Sequence, residues 1–251
     1  MAISLASISN NPTIAPPRLV VYGTHGVGKT TFAAGAPKPI VLPTEEGLGN
    51  LKVDHFPLLT SYDDVMGAIG ILYQEKHDFE TVVIDSADWL EPLVWVETCR
   101  KHSKADIEEF GYGKGYLHAL DQWRELFDGL NALRAERGMA VMFLAHTEIK
   151  RFDSPDTEPY DRYQIKLQTR ARALIEEWAD AVMFANFKTF TTKADVGFNK
   201  SVTRGVGQGE RKLYTEERPA YTAKNRYSLP PELDFTWQDF EKALPNSSIN
   251  T

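Results

Sequence analysis

A single cysteine, Cys99, stands in 251 residues, so an internal disulfide is excluded and a reducing compartment suits the chain. Long apolar runs are also lacking: no stretch approaches the roughly 18 residues that a membrane-spanning helix needs. The opening MAISLASISNNPTIAPP holds no basic residue before Arg18 and no apolar run, so it does not read as a signal peptide. From these absences we expect a soluble, cytoplasmic protein without a membrane partner. An excess of positive charge is missing too. The net charge of −7 argues against coating nucleic acid by bulk electrostatics. That charge is uneven: residues 146–227 carry 15 Lys+Arg against 12 Asp+Glu, the rest 13 against 23. A local basic surface on an acidic body fits this bias, as does a mixed solvated face. There is no internal repeat.

What is present suits one α/β domain. The composition, 42% hydrophobic and 25% charged, is that of a globular chain. Residues 1–17, small and Pro-punctuated, read as a flexible arm. Its Ile3, Leu5 and Ile8 suit packing on an adjacent subunit. Residues 18–245 read as a single core and 246–251 as a disordered tail. Four continuous apolar runs, RLVVY from Arg18, PIVLP from Pro39, TVVID from Thr81 and AVMFLA from Ala140, have the texture of strands buried on both faces of a parallel sheet. Between them lie helical signals. Ser61 with Asp63 and Asp64 forms an N-cap and acidic first turn, and Leu117, Leu120, Trp123, Leu126, Phe127, Leu130 and Leu133 recur at helical spacing before Gly138. Thr147 to Gln164, polar with Pro155 and Pro159, reads as a long loop, and Glu108 to Tyr116 as a Gly/Tyr-rich loop. A helix near Leu167 to Ala179, a strand over Ala181 to Phe187 and shorter β pieces at 188–193, 211–215 and 221–225 follow. The pattern predicts a mainly parallel central sheet flanked by helices, with a C-terminal antiparallel extension.

The chemistry concentrates at GTHGVGKT, Gly23 to Thr30, a match to G-x-x-x-x-G-K-[ST] between a buried strand and a helix. Glycines let successive backbone N–H groups turn inward as an anion nest, and the helix N-terminus adds its positive dipole end. Gly23, Thr24, His25, Gly26, Val27, Gly28, Lys29, Thr30 and Thr31 are the expected nucleotide contacts. Lys29 would reach the β- and γ-phosphates, and Thr30 would offer a hydroxyl to Mg²⁺. Asp85 ends its strand as a second ligand for Mg²⁺. Ser86 follows it, so the water-activating carboxylate must come from elsewhere. Glu45 and Glu46 lie just past the carboxyl end of the second strand, where ligands of open parallel sheets bind, and Glu45 is favoured to orient water.

With VLPTE, VVIDS and FLAH beside the P-loop, the chain resembles the RecA-like recombinase core ATPases, specifically the core-only phage members of the Sak-type single-strand annealing group. The resemblance runs from Arg18 to Pro231. It implies Glu45 as catalytic glutamate and His146, where relatives often carry Gln, as the polar sensor. It also implies two DNA-binding loops. The first would place Tyr112, Lys114 and Tyr116 on a single strand, cation on phosphate and rings on bases. The second would offer Lys150, Arg151, Arg162 and Lys166, with Arg170 and Arg172 opening the next helix. AKNRY resembles the Lys-x-Arg finger pair of RecA-like and KaiC-like ATPases, with Lys224 and Arg226 on one face of a strand acting on a neighbour's γ-phosphate. That implies a ring or filament with ATP at subunit interfaces. The function expected is a Mg-dependent ATPase that binds single-stranded DNA and promotes annealing in phage recombination. The alternative is a KaiC-like nucleotide-switch or assembly ATPase acting on protein partners. A small-molecule P-loop kinase is disfavoured because the sequence shows no Arg-rich lid segment, and Asp85-Ser86 with Glu45 suits water activation.

Overall fold

A computed structural model describes residues 15–195 and 201–245. The expected arm, up to residue 14, and the tail, 246–251, lie outside the described residues. Pro17 already belongs to the core edge, its carbonyl accepting from Val141 N at 2.9 Å.

In chain order the elements are β1 (Arg18–Gly23), α1 (Lys29–Ala34), β2 (Pro39–Pro43), β3 (Asp54–His55), α2 (Tyr62–Gln74), β4 (Thr81–Asp85) and α3 (Ala87–Lys101). A 3-10 turn (Ile107–Phe110) leads into α4 (Lys114–Glu136), β5 (Ala140–Phe152), β6 (Tyr160–Ile165), α5 (Thr169–Trp178), β7 (Ala181–Asp195) and β8 (Ser201–Tyr214). The chain closes with β9 (Lys224–Asn225), β10 (Glu232–Asp234) and α6 (Trp237–Ala243). The sheet order is β10-β8-β7-β1-β5-β4-β2-β3, with β6 on β5 and β9 on β7. Strands β7, β1, β5, β4, β2 and β3 run parallel, and β8 and β10 extend the sheet antiparallel. This is the expected α/β arrangement, a mainly parallel central sheet flanked by helices with an antiparallel extension.

The continuous apolar runs are explained by two cores. On β1, Val20 and Tyr22 face a core shared with α2 to α5, while Leu19 and Val21 face one closed by α1 and α6. Side chains alternate across a strand, so a strand covered on both faces must be apolar at every position. Helix α2 begins where its cap predicts. Ser61 Oγ accepts from Asp64 N at 3.1 Å, and Asp64 accepts from Ser61 N at 3.0 Å, a reciprocal capping box.

Three local expectations change. Residues 147–164 are not a loop. Strand β5 runs on past the sheet to Phe152 and pairs antiparallel with β6, from Thr147 opposite Ile165 to Phe152 opposite Tyr160, leaving only 153–159 as the turn that holds both prolines. The polar composition hid the strand because inward positions of β6 carry the polar Arg162 and Gln164. The separate β pieces at 188–193 and 211–215 belong to one long β7–β8 hairpin. Of 221–225 only Lys224–Asn225 is strand. Finally, Lys114 and Tyr116 sit in the first turn of α4 rather than in a loop.

Candidate active site

The row of functional residues follows from strand register. Inserting β5 between β1 and β4 brings Gly23 beside His146, while Asp85 pairs with Leu144 and Pro43 with Asp85. The carboxyl ends of β2, β4, β5 and β1 therefore line up, and Thr44, Glu45, Asp85, His146 and the loop Gly23 to Thr30 gather at one edge.

Lys29 opens α1 and is buried. Its Nζ donates to the carbonyls of Gly23 and Thr24, each at 3.2 Å. Burial lowers its pKa, against Asp85, Asp88 and Glu45 nearby. Thr30 Oγ1 donates to Asp85 Oδ2 at 2.8 Å. Burial raises the Asp85 carboxyl, opposed by that bond and by Lys29. Hydroxyl and carboxylate oxygens held this close are a hard-oxygen pair suited to Mg²⁺, a cation that keeps waters and phosphate oxygens as its other ligands. No group of three or more His, Cys, Asp or Glu able to hold a metal occurs among the described residues. The Asp85–Ser86 peptide is cis.

Thr44 locks the end of β2 to that of β4. Its hydroxyl donates to Ser86 O at 2.7 Å and accepts from Ser86 N at 3.0 Å. Glu45 is thereby turned into the site, its side chain 18% exposed and its Oε1 3.9 Å from His146 Nδ1, whereas Glu46 is exposed. Burial raises the Glu45 carboxyl above the usual range, against a Ser86 hydrogen bond and the His146 charge.

Asp88, which sequence reasoning passed over, organises the histidine. Its side chain is 2% exposed; Oδ1 accepts from His146 N at 2.9 Å, and Oδ2 lies 2.9 Å from His146 Nδ1. Burial alone would raise its pKa, but the hydrogen bonds and charge of His146 bring it below the ordinary carboxylate value. His25, from the P-loop, stacks on His146 with ring centroids 4.0 Å apart. The pKa of His25 is lowered, first by His146, then by burial and Lys29. The spacing Asp85 to Asp88 across a strand–helix junction was the available signal for Asp88; the histidine stack had none.

The remaining sequence candidates divide. Tyr112 is fully exposed, with φ of 51° between Gly111 at 69° and Gly113 at 66°. A left-handed turn presenting a solvent-exposed ring is held there by both glycines. Lys114 and Arg170 are exposed, and neither has an ion pair among the described residues. Arg151 lies 3.7 Å from Asp153, and Lys166 4.0 Å from Asp88, both side chains exposed. The others are engaged by partners of the same chain, Lys150 while still exposed. Tyr116 OH donates to Glu108, and its ring meets Trp95 edge-on at 5.4 Å. Arg162, expected as a free cation, is buried, pairs with Glu217 at 2.7 Å and lies over the Phe152 ring at 4.7 Å. Arg172 is half-buried between Glu148 at 3.7 Å and Glu176 at 3.9 Å, and Lys150 pairs with Glu148 at 2.9 Å.

Lys224 and Arg226 lie at the amino edge of the parallel strands, since β9 pairs with the first residues of β7. They are a full strand length from the P-loop of their own chain. Lys224 Nζ donates to the carbonyls of Glu176 and Glu177 at the end of α5, 2.8 and 2.9 Å away, and Arg226 Nη1 reaches Asp180 at 3.2 Å. Strand β9 ends at Asn225, so the two do not share a strand.

The comparisons with known proteins meet the geometry here. The family model of the AAA domain, AAA_24, matches residues 15–227, from before β1 to beyond β9. The chain belongs to the AAA domain family. It is therefore a P-loop NTPase domain. A prophage-derived uncharacterized protein of Bacillus subtilis strain 168, YorG of SPbeta, is 24% identical over 132 residues, 51% of this chain. The match spans 40% of that relative's length. The crystal structure of the RadB recombinase aligns over 90% of both chains with a TM-score of 0.43 and 15% identity. No helix among the described residues is long and apolar enough to cross a membrane.

Proposed function

We propose that this AAA domain is a Mg-dependent ATPase of RecA-like type that binds single-stranded DNA and promotes annealing or strand pairing in phage recombination. The observation that carries the ATPase part is the register row: a P-loop lysine, a Thr30–Asp85 oxygen pair and a half-buried Glu45 lie at one sheet edge. The P-loop amides and Lys29 hold the phosphates, and Thr30 with Asp85 holds Mg²⁺, which when bound neutralises charge on the transferring phosphate. Glu45 orients the attacking water. His146, fixed by Asp88, senses the γ-phosphate and passes its state along β5 into the β5–β6 hairpin. Lys224 and Arg226, too distant to act in their own chain, fit a site completed by a neighbouring subunit in a ring or filament.

The DNA part rests on Tyr112 and Lys114, an exposed ring and an exposed cation two residues apart, and on Arg170, exposed and without an ion pair among the described residues. The resemblance to a prophage-derived protein supports the phage setting. One observation favours the rival, an assembly ATPase with protein partners: Lys150, Arg162 and Arg172 are neutralised by Glu148, Glu217 and Glu176. Fluorescence anisotropy of labelled oligo-dT at low salt, with and without Mg-ATP, decides between them. ATP-dependent binding that weakens about 5- to 150-fold in Tyr112→Ala is expected, since a stacked base contributes roughly 1–3 kcal/mol. Phosphate release without ATP-dependent binding of oligo-dT would favour the rival.

A further inference from the structure

The long β7–β8 hairpin is joined to the P-loop at its root. Phe187 pairs with Arg211, and the ladder resumes at Thr189 opposite Gly207, so β8 carries extra residues in a bulge. Gly209 within it has φ of 76°. Bulges bend a strand and re-aim the side chains beside them. Arg211 follows this one, and its guanidinium crosses to the nucleotide loop, where Nη1 donates to Val27 O at 3.3 Å. A Cβ on Gly28 would lie 2.5 Å from the same nitrogen. The neighbouring Lys212 is neutralised by Glu210 and Asp234, each at 2.6 Å. Arg211 has no ion pair among the described residues.

A trans peptide is planar, so the C=O of Val27 and the N–H of Gly28 point in opposite directions. A cation that holds the oxygen on one side turns the amide to the other. The groups around it are already fixed: Val27 N donates to Thr24 O at 3.4 Å, and Gly28 O accepts from Phe32 N at 2.9 Å. Gly28 N–H itself has no partner among the described residues. We infer that Arg211 is a positioning residue for the anion nest. It orients the Val27–Gly28 peptide so that the Gly28 amide faces the bound phosphate, and so makes the root of the hairpin part of the nucleotide site. The inference rests on the nucleotide-binding reading of the P-loop.

Calorimetric titration with Mg-ADP tests it on wild type, Arg211→Ala, Arg211→Lys and Lys29→Ala, with amide NMR of the ADP-bound proteins. Arg211→Ala should weaken Mg-ADP at least about tenfold, the effect of losing a hydrogen bond to a charged group, and Arg211→Lys should recover part of it. The Gly28 amide proton should move upfield in Arg211→Ala while that of Gly26 stays, and the melting temperature without nucleotide should not change. A generally loosened fold would shift both amides and lower the melting temperature, and would overturn the positioning role. Wild-type affinity in Arg211→Ala, beside loss of binding in Lys29→Ala, overturns the inference and leaves the nucleotide reading standing. Absence of binding in the wild type overturns both. If Arg211→Ala does not fold, Arg211→Gln replaces it, and wild-type affinity there is equally decisive.

Discussion

Replacing Glu45 by Gln keeps the size of the side chain and one carbonyl oxygen but removes the charge that would orient and deprotonate water. The residue is well placed for the test, because the Thr44–Ser86 hydrogen bonds fix the backbone beside it independently of the carboxylate. General-base catalysis contributes roughly 10²–10⁴-fold. The turnover number should therefore fall at least about 100-fold, about 2.7 kcal/mol of barrier. Binding should move the other way or stay put. A negative charge removed roughly 5 Å from a phosphate, at an effective dielectric of about 20, relieves up to about 3 kcal/mol of repulsion. The pH profile carries a sign as well. The base works only when ionised, and burial raises its carboxyl pKa, so wild-type turnover should fall with decreasing pH at an inflection above the usual carboxylate range. The variant should lack that inflection. Steady-state phosphate release from pH 5 to 9, paired with equilibrium titration of Mg-ATP, measures all three. Unchanged turnover, or a loss of turnover matched by an equal loss of affinity, would refute the assignment.

Two further predictions concern the scaffold of the site. Glu91 is buried, and its carboxylate accepts from Gln168 N at 3.0 and 3.1 Å; burial pushes its pKa up to about 7. The folded state then binds this proton more tightly than the unfolded chain, so the stability it confers is complete at low pH. That stability is lost as pH rises through about 7, by up to about 3 kcal/mol, and Glu91→Gln should flatten the urea-measured stability between pH 5 and 8; an unaltered slope would refute the reasoning. Gly115 sits in the first turn of α4, where a Cβ would lie 2.2 Å from Ile107 O. Helix propensity favours Ala over Gly by about 1 kcal/mol, but the clash with backbone should cost more. Gly115→Ala should thus lower urea-measured stability by about 1–2 kcal/mol net, and a stabilised variant would show the contact is relieved.

Much of this was legible in the sequence because it is encoded locally. The P-loop residues, the apolar strand ending in Asp85, the Ser61–Asp64 cap and the periodicity of α4 each depend on neighbours a few positions away. Leu117 is the exception within that helical stripe, being exposed near its start. The hairpin β5–β6 is not legible locally because its buried side is partly ionic: Arg162 goes inward where Glu217, 55 residues on, meets it. Pairing within the chain likewise engages Arg172 with Glu148 and Glu176 and Tyr116 with Glu108, while Tyr112, Lys114, Arg151, Lys166 and Arg170 stay exposed.

The sequence by itself determined the chemical inventory of the nucleotide site and the elements that carry it. Only the tertiary structure decided how that inventory is assembled. Strand order places β5 between the P-loop strand and the Asp85 strand, which sets His146 against His25 and Asp88. A bulge in β8 sends Arg211 to a loop 184 residues away. Local propensities fix what a segment becomes. Which strand enters between which others, and where a bulged strand aims its side chain, are settled by burial and hydrogen-bond satisfaction over the whole sheet.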